Sequence, residues 1–295
     1  MKRNPNMKKI LLISSLVLVA VVLTGCTIPT DPETKEIIQI TPTTTFSHIM
    51  DTENWFSAIL VWPMAQFLNK LSPVITVGGA IALLTVIVNA ILMVFTLRST
   101  VASQQMQLLQ PEMEKIQRKY EGKDDDASKM KQAQEMQALY KKYNVNPFSM
   151  ILVTFLQFPI IISMYQAVQR ASAVKTGTFF GLSLSQTIMN GLKAGQWGYL
   201  GIFIVMGVCQ FLSMQLPQML AKKKAEEEAA KHHRKPAEAS NSQTKMMQYY
   251  MLAMILVFGL MWPAAMSVYW AIYSMVTIVK TLLVQKIIDN QKAGA

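Results

Sequence analysis

From Val74 to Leu97 the chain carries no charged side chain. A run of roughly 20 apolar residues is enough to cross a bilayer as a helix. Inside hydrocarbon every backbone N–H and C=O must be paired within the protein, which leaves helices or closed barrels as the only spanning structures. Four more apolar runs follow: Phe148 to Gln169, Trp197 to Leu216, Met246 to Met261 and Ala264 to Ile287. Their length favours helices. Composition agrees, with 52% hydrophobic and only 15% charged residues in 295, where soluble domains average about 25% charged. The expectation is an all-α integral membrane protein with five transmembrane helices. Pro159 lies inside the second run, where neighbouring helices can satisfy the freed carbonyl. Pro263 separates the fourth run from the fifth by a tight turn.

Charge orients these runs. The segment from Arg98 to Pro147 and the segment from Met219 to Lys245 hold most of the lysines and arginines, so both are expected in the cytosol. The net charge of +11 fits this bias and attraction to anionic lipid. It calls for no specific nucleic-acid sequence as partner. Residues 1–25 read as a signal peptide: Lys2, Arg3, Lys8 and Lys9 precede an apolar stretch that ends in Leu23-Thr24-Gly25-Cys26. That tetrapeptide looks like a bacterial lipobox, with Cys26 lipidated and first in the mature chain. Residues 26–54, rich in Thr and Pro, read as an extracytosolic linker. Trp55 to Leu71 reads as an interfacial amphipathic helix. The topology is then an outside N-terminus, spans at 74–97, 148–169, 197–216, 246–261 and 264–287, and a short cytosolic tail at 288–295. Residues 99–143 hold two runs of helix formers around the turn Glu121-Gly122-Lys123-Asp124-Asp125-Asp126, which predicts a cytosolic helical hairpin. The second cytosolic segment is low in apolar residues and is expected to be mobile.

The chain has no Gly-rich phosphate loop after a strand, no Gly-x-Ser-x-Gly elbow and no His-Glu-x-x-His. No nucleophile–base pair is evident. The expectation is a protein that is no enzyme and needs no cofactor or metal. His232 and His233 read as a solvated loop. The polar groups worth weighing lie within the apolar runs. Thr85, Asn89 and Thr96 share one helical face, as do Thr154 and Gln157. Gln210, Ser213 and Met214 cluster, and Met266, Trp270, Tyr273 or Ser274, and Thr277 follow helical spacing. Any one stripe fits hydrogen bonding between packed helices. Four of them point to a wet, polar interior. Arg98 fits two roles, a snorkelling anchor at the end of the first span or a charge turned inward. On an ideal helix it points away from Asn89 and Thr96.

The stretches TLRSTVASQQMQLLQPEMEKIQRKY, LYKKYNVNPFSM, FLQFPIIISMYQAV and WPAAMSVYWAIYSMV occur in this order. Together they resemble the YidC/OxaA family of membrane protein insertases over residues 55–287, in its Gram-positive lipoprotein form. The resemblance implies a five-helix core around a hydrophilic groove that is open to cytosol and lipid. It assigns Arg98 as the groove arginine and Trp270 as a groove aromatic. Gln157, Gln210 (or Gln215), Tyr273 and Thr277 are expected beside them. Phe148-Ser149-Met150 stands where other members often have Gly and Cys. The implied function is insertion and folding of newly made membrane proteins, with nascent membrane proteins as substrates and the ribosome and Sec translocon as candidate partners. The implied location is the bacterial cell membrane. The alternative class is a solute or ion transporter.

Overall fold

The helix that begins at Val77 does not stop where the apolar run stops. In the computed structural model, which describes residues 27–143, 145–146, 148–231 and 242–293, it continues unbroken to Leu108. The elements in chain order are α1 (Phe46–Thr52), a π-helical turn (Ser57–Val61), α2 (Trp62–Ile75), α3 (Val77–Leu108), α4 (Gln110–Lys119), α5 (Asp126–Lys142) and α6 (Phe148–Arg170). After them come α7 (Ser172–Lys175), β1 (Thr178–Phe179), β2 (Leu182–Ser183), α8 (Ile188–Lys193), α9 (Gly198–Lys231), α10 (Ser242–Met261) and α11 (Ala264–Ala293). The fold is all-α apart from the antiparallel β1–β2 pair. Among the described residues three helices are long and apolar enough to cross a membrane, over Val77–Leu108, Gly198–Lys224 and Ala264–Asn290, against the five spans expected. α10 adds a shorter apolar stretch, Gln248–Met261.

Helix ends differ from the expected boundaries for local reasons. Past Leu97 the residues Ala, Gln and Met keep good helix propensity, so α3 ends only near Pro111. That proline sits in the first turn of α4, where its missing N–H costs nothing. α9 likewise runs on through the lysine and glutamate runs to Lys231. Those residues are strong helix formers, and Lys222 reaches Glu226 one turn on at 3.8 Å. The mobile second segment expected there is therefore helical as far as Lys231. Residues 232–241, with His232 and His233, lie outside the described residues, as do residues 1–25, expected as a signal peptide, and Cys26.

The described chain divides into two units, one running to Leu84 together with Phe155–Ser185, the other Thr85–Thr154 with Gln186 onward. In the first, residues 27–54 are not a loose linker. Ile40 is fully buried. Its N–H donates to the Arg170 carbonyl at 2.7 Å, and its own carbonyl accepts from Asn69 Nδ2 at 2.6 Å and from the Ser172 N–H at 3.2 Å. Gln66 Nε2 donates to the Thr41 and Thr44 carbonyls at 2.8 and 2.9 Å. The polar residues that interrupt the apolar run 55–71 thus point at the preceding segment and tie it down. α2 ends at Ile75, and Thr76 takes φ +74°. The Thr76 hydroxyl then accepts the Gly79 N–H at 3.3 Å, capping α3. Gly78 is glycine because a Cβ there would lie 2.5 Å from the Phe179 ring.

In the second unit α9 and α11 run parallel. Gln210 meets Ser274 and, one stretch further, Lys224 meets Asp289. α10 runs antiparallel to α9, with Met206 against Gly259 and Gln218 bonded to Gln248. α4 and α5 form a helical hairpin, rooted on Met106, Leu109 and Val145 with Met113, Tyr140 and Tyr143 packed around them.

Candidate functional site

α3 presents two opposed faces. Thr85, Asn89 and Thr96 are buried, at 1%, 7% and 4% exposure. Asn89 Nδ2 donates to the Thr85 carbonyl at 2.8 Å, and the Thr96 hydroxyl to the Leu92 carbonyl at 2.6 Å. These side chains satisfy themselves on their own helix and carry a packed face. Arg98 is exposed on the other side, and among the described residues it makes no hydrogen bond or ion pair. Up the helix from it Ile91, Val94 and Phe95 are exposed too. The mismatch between Arg98 and the polar stripe is real, and only the Arg98 face is open.

The stripe on α11 also splits in two. Met266 and Ser274 are buried at 0% and 1%. The Ser274 hydroxyl donates to Gln210 Oε1 at 2.7 Å, and Gln210 is only 8% exposed. Gln210, expected as an open groove residue, is instead engaged in the α9–α11 seam. This is the role that hydrogen-bonding side chains commonly take between membrane helices. Ser213, its neighbour, turns its hydroxyl to the Gln210 carbonyl at 2.8 Å. Trp270, Tyr273 and Thr277 lie on the adjoining flank of α11, and all three are half-buried. The Trp270 and Tyr273 rings meet edge to face at 5.9 Å, and the Thr277 hydroxyl donates to the Tyr273 carbonyl at 2.8 Å. The flank is apolar in body with indole and phenol tips, suited to an occupant that is apolar on one side and polar on the other.

Gln157 belongs to the first unit and is half-buried. Its Nε2 is enclosed without a hydrogen-bond partner among the described residues. Thr154, placed on the same face by sequence, has no described side chain.

Two features escaped sequence reasoning. Gln104 Nε2 donates to the Thr281 carbonyl at 3.2 Å and to Gln285 Oε1 at 3.0 Å, joining α3 to α11 where the apolar runs give way to polar sequence. Lys280 stands on the flank of Trp270, Tyr273 and Thr277, half-buried like them. The signal was available, because Lys280 is the only charged residue between Ala264 and Gln285. No group of three or more potential metal ligands occurs among the described residues.

The family model described as 60Kd inner membrane protein matches residues 67–292. Membrane protein insertase YidC 2 of Listeria innocua is 28% identical over 295 residues, covering 99% of this chain and 88% of its own. Membrane protein insertase MisCA of Bacillus subtilis is 28% identical and covers 97% of both chains. Membrane protein insertase YidC 1 of Streptococcus pyogenes is 42% identical over a shorter stretch, 43% of this chain and 46% of its own. The match takes in α3, with Arg98, and α11, with Trp270 and Tyr273, and the chain belongs to the 60Kd inner membrane protein (YidC/OxaA) family of membrane proteins.

Proposed function

We infer that this chain is a membrane protein insertase that receives newly made membrane proteins and passes their apolar segments into lipid. The observation that carries this is the open face of α3. Arg98 stands there at the end of an uncharged run, with no hydrogen bond or ion pair among the described residues. The names of the relatives support the insertase over a solute or ion transporter. The physical task is to bring a short polar, often acidic segment across hydrocarbon. Arg98 attracts its carboxylates. The flank of Trp270, Tyr273 and Thr277 supplies aromatic and hydroxyl contacts, and Gln210 holds the α9–α11 seam. The following apolar segment then moves sideways into lipid, where burial releases about 25 cal/mol per Å². The process needs no covalent step. The basic charge of the α4–α5 hairpin supports a cytosolic position, where the incoming chain, the ribosome and the Sec translocon would meet it. Cys26 carries a lipid anchor on the outer side, in keeping with its lipobox.

The test replaces Arg98 in a strain depleted of its own insertase. Arg98→Ala is expected to abolish growth and insertion of acidic-tailed single-span substrates, and Arg98→Lys to preserve both. Undiminished insertion with Arg98→Ala would sink the role of this charge.

A further inference from the structure

The turn between β1 and β2 carries a residue that its own geometry disfavours. Thr178 pairs with Ser183 and Phe179 with Leu182, which leaves Phe180 and Gly181 as a two-residue loop. Both have positive φ, +49° and +78°. A loop of this kind favours Asn-Gly, because Asn tolerates the left-handed region and a bulky side chain does not. Phe180 thus holds a strained position, and its ring gains little inside the fold in return. It meets the Phe179 ring edge to face at 4.5 Å and is 91% exposed. A lone apolar residue on a surface needs no explanation. A phenylalanine at the place its turn least favours does, and such departures from local rules gather at functional sites.

The seat of the hairpin on α3 identifies what meets the tip. A Cβ on Gly177 would run into the Val77 side chain, and one on Gly78 would lie 2.5 Å from the Phe179 ring, so β1 lies against the first turn of α3. That turn belongs to the uncharged stretch from Leu71 to Leu97, at the end where it begins. Val74 and Ile75, just before it, are 74% and 39% exposed, and Ile75 lies beside Gly79. Phe180 therefore extends an apolar surface that is already present at the start of the span. Polarity also changes along the hairpin. Before its base, Lys175 lies 3.3 Å from Glu36 with both side chains exposed, a pair that belongs in water. From Thr176 to Leu192 no side chain is charged. An uncharged apolar tip beside the start of a spanning run fits a lipid surface, where apolar side chains bury at the headgroup boundary.

We propose that the Phe180 tip dips into the lipid leaflet at the starting end of α3, the outer leaflet in the topology expected from charge, and seats the hairpin there. The test uses full-length protein with Cys26 and Cys209 replaced by Ser, in vesicles of phosphatidylcholine and phosphatidylglycerol. One spin label is attached, at Phe180→Cys or at Ser185→Cys, the latter an exposed position just past β2. The label at 180 is expected to collide severalfold more with oxygen, which concentrates in lipid, than with a water-soluble nickel complex. The label at 185 is expected to do the reverse. Access to the nickel complex at 180 equal to that at 185 puts the tip in water and overturns the proposal. Poor access to both reagents at 180 puts the tip under protein, a second copy included, and overturns it as well. A second measurement leaves the native ring in place and labels Thr178→Cys, exposed on β1. Adding Phe180→Gly, which suits the positive φ and so keeps the turn, is expected to raise nickel access at 178. An unchanged value overturns the seating role. None of these readouts depends on insertion activity.

Discussion

Arg170 heads the large side chains that are fully buried. Its Nη1 donates to Glu53 Oε2 at 2.8 Å, Nη2 donates to Glu53 Oε1, and Nε donates to the Ile38 carbonyl at 3.0 Å. The fork fits the carboxylate with two parallel bonds, the geometry that makes an Arg–carboxylate pair strong. The pair fastens the segment around Glu53 to the end of α6, 117 residues away in sequence. Desolvating two charges is expensive, so the net stabilisation is small, but breaking one side strands the other. Glu53→Gln should therefore lower stability by about 3 kcal/mol or more, read as a drop in melting temperature of the detergent-solubilised protein. The double replacement Glu53→Leu with Arg170→Met should lose less than either single change. Losses that simply add would show that the two residues do not act as a pair. Nothing in the sequence announced this contact. In the sequence Arg170 simply follows an apolar run and Glu53 falls in the segment expected as a linker, because burial depends on partners more than a hundred positions away.

The elements were legible in type and less so in extent. The apolar runs point to an all-α fold, and helical periodicity sets Arg98 opposite Asn89. Nine residues at 3.6 per turn amount to two and a half turns, and so to opposite faces. The end of the apolar run at Leu97 marks a change of solvent rather than a change of backbone, and α3 continued to Leu108. The hairpin beyond it has a polar clasp between its arms. Lys119 Nζ donates to Glu135 Oε1 at 2.5 Å, and Tyr120 Oη donates to the same oxygen at 2.9 Å. The Lys119 bond, and then the Tyr120 bond, hold the Glu135 carboxyl below its ordinary 4.5, while the bond to Glu135 raises Lys119 above its ordinary 10.5. A lowered carboxylate stabilises the fold above its unfolded value and loses that contribution as pH falls through the folded one. A raised lysine behaves oppositely, losing its contribution only as pH climbs past 10.5. The clasp is therefore complete from about pH 5 to 10. Amide protection across α4 and α5 should fall below pH 4.5 in the wild type, and Glu135→Gln should be weaker at neutral pH and flat across that interval. An unchanged acid response in Glu135→Gln would assign the loss to another group.

At the scale of the whole molecule, the distribution of charge predicts which ends of these helices face the cytosol. The segments 98–147 and 219–245 carry most of the basic residues. On the other side Arg170 is paired with Glu53, and Lys175 lies 3.3 Å from Glu36. Lys119, Lys222 and Lys224 in the basic segments have acidic partners as well, so pairing occurs in both sets of segments and the count of lysine and arginine carries the argument. Orientation follows lysine and arginine near the spans. Single cysteines in a background with Cys26 and Cys209 replaced by Ser make this measurable. Lys123→Cys in the hairpin turn and Asn290→Cys near the end of α11 should react with a membrane-impermeant maleimide only after the cytosolic side is opened. Ser185→Cys, between β2 and α8, should react in intact cells. These three positions are exposed, so a missing label reports sidedness rather than burial. Labelling of Lys123→Cys in intact cells would place the hairpin outside, away from any ribosome-borne substrate, and the insertase mechanism would fail with it.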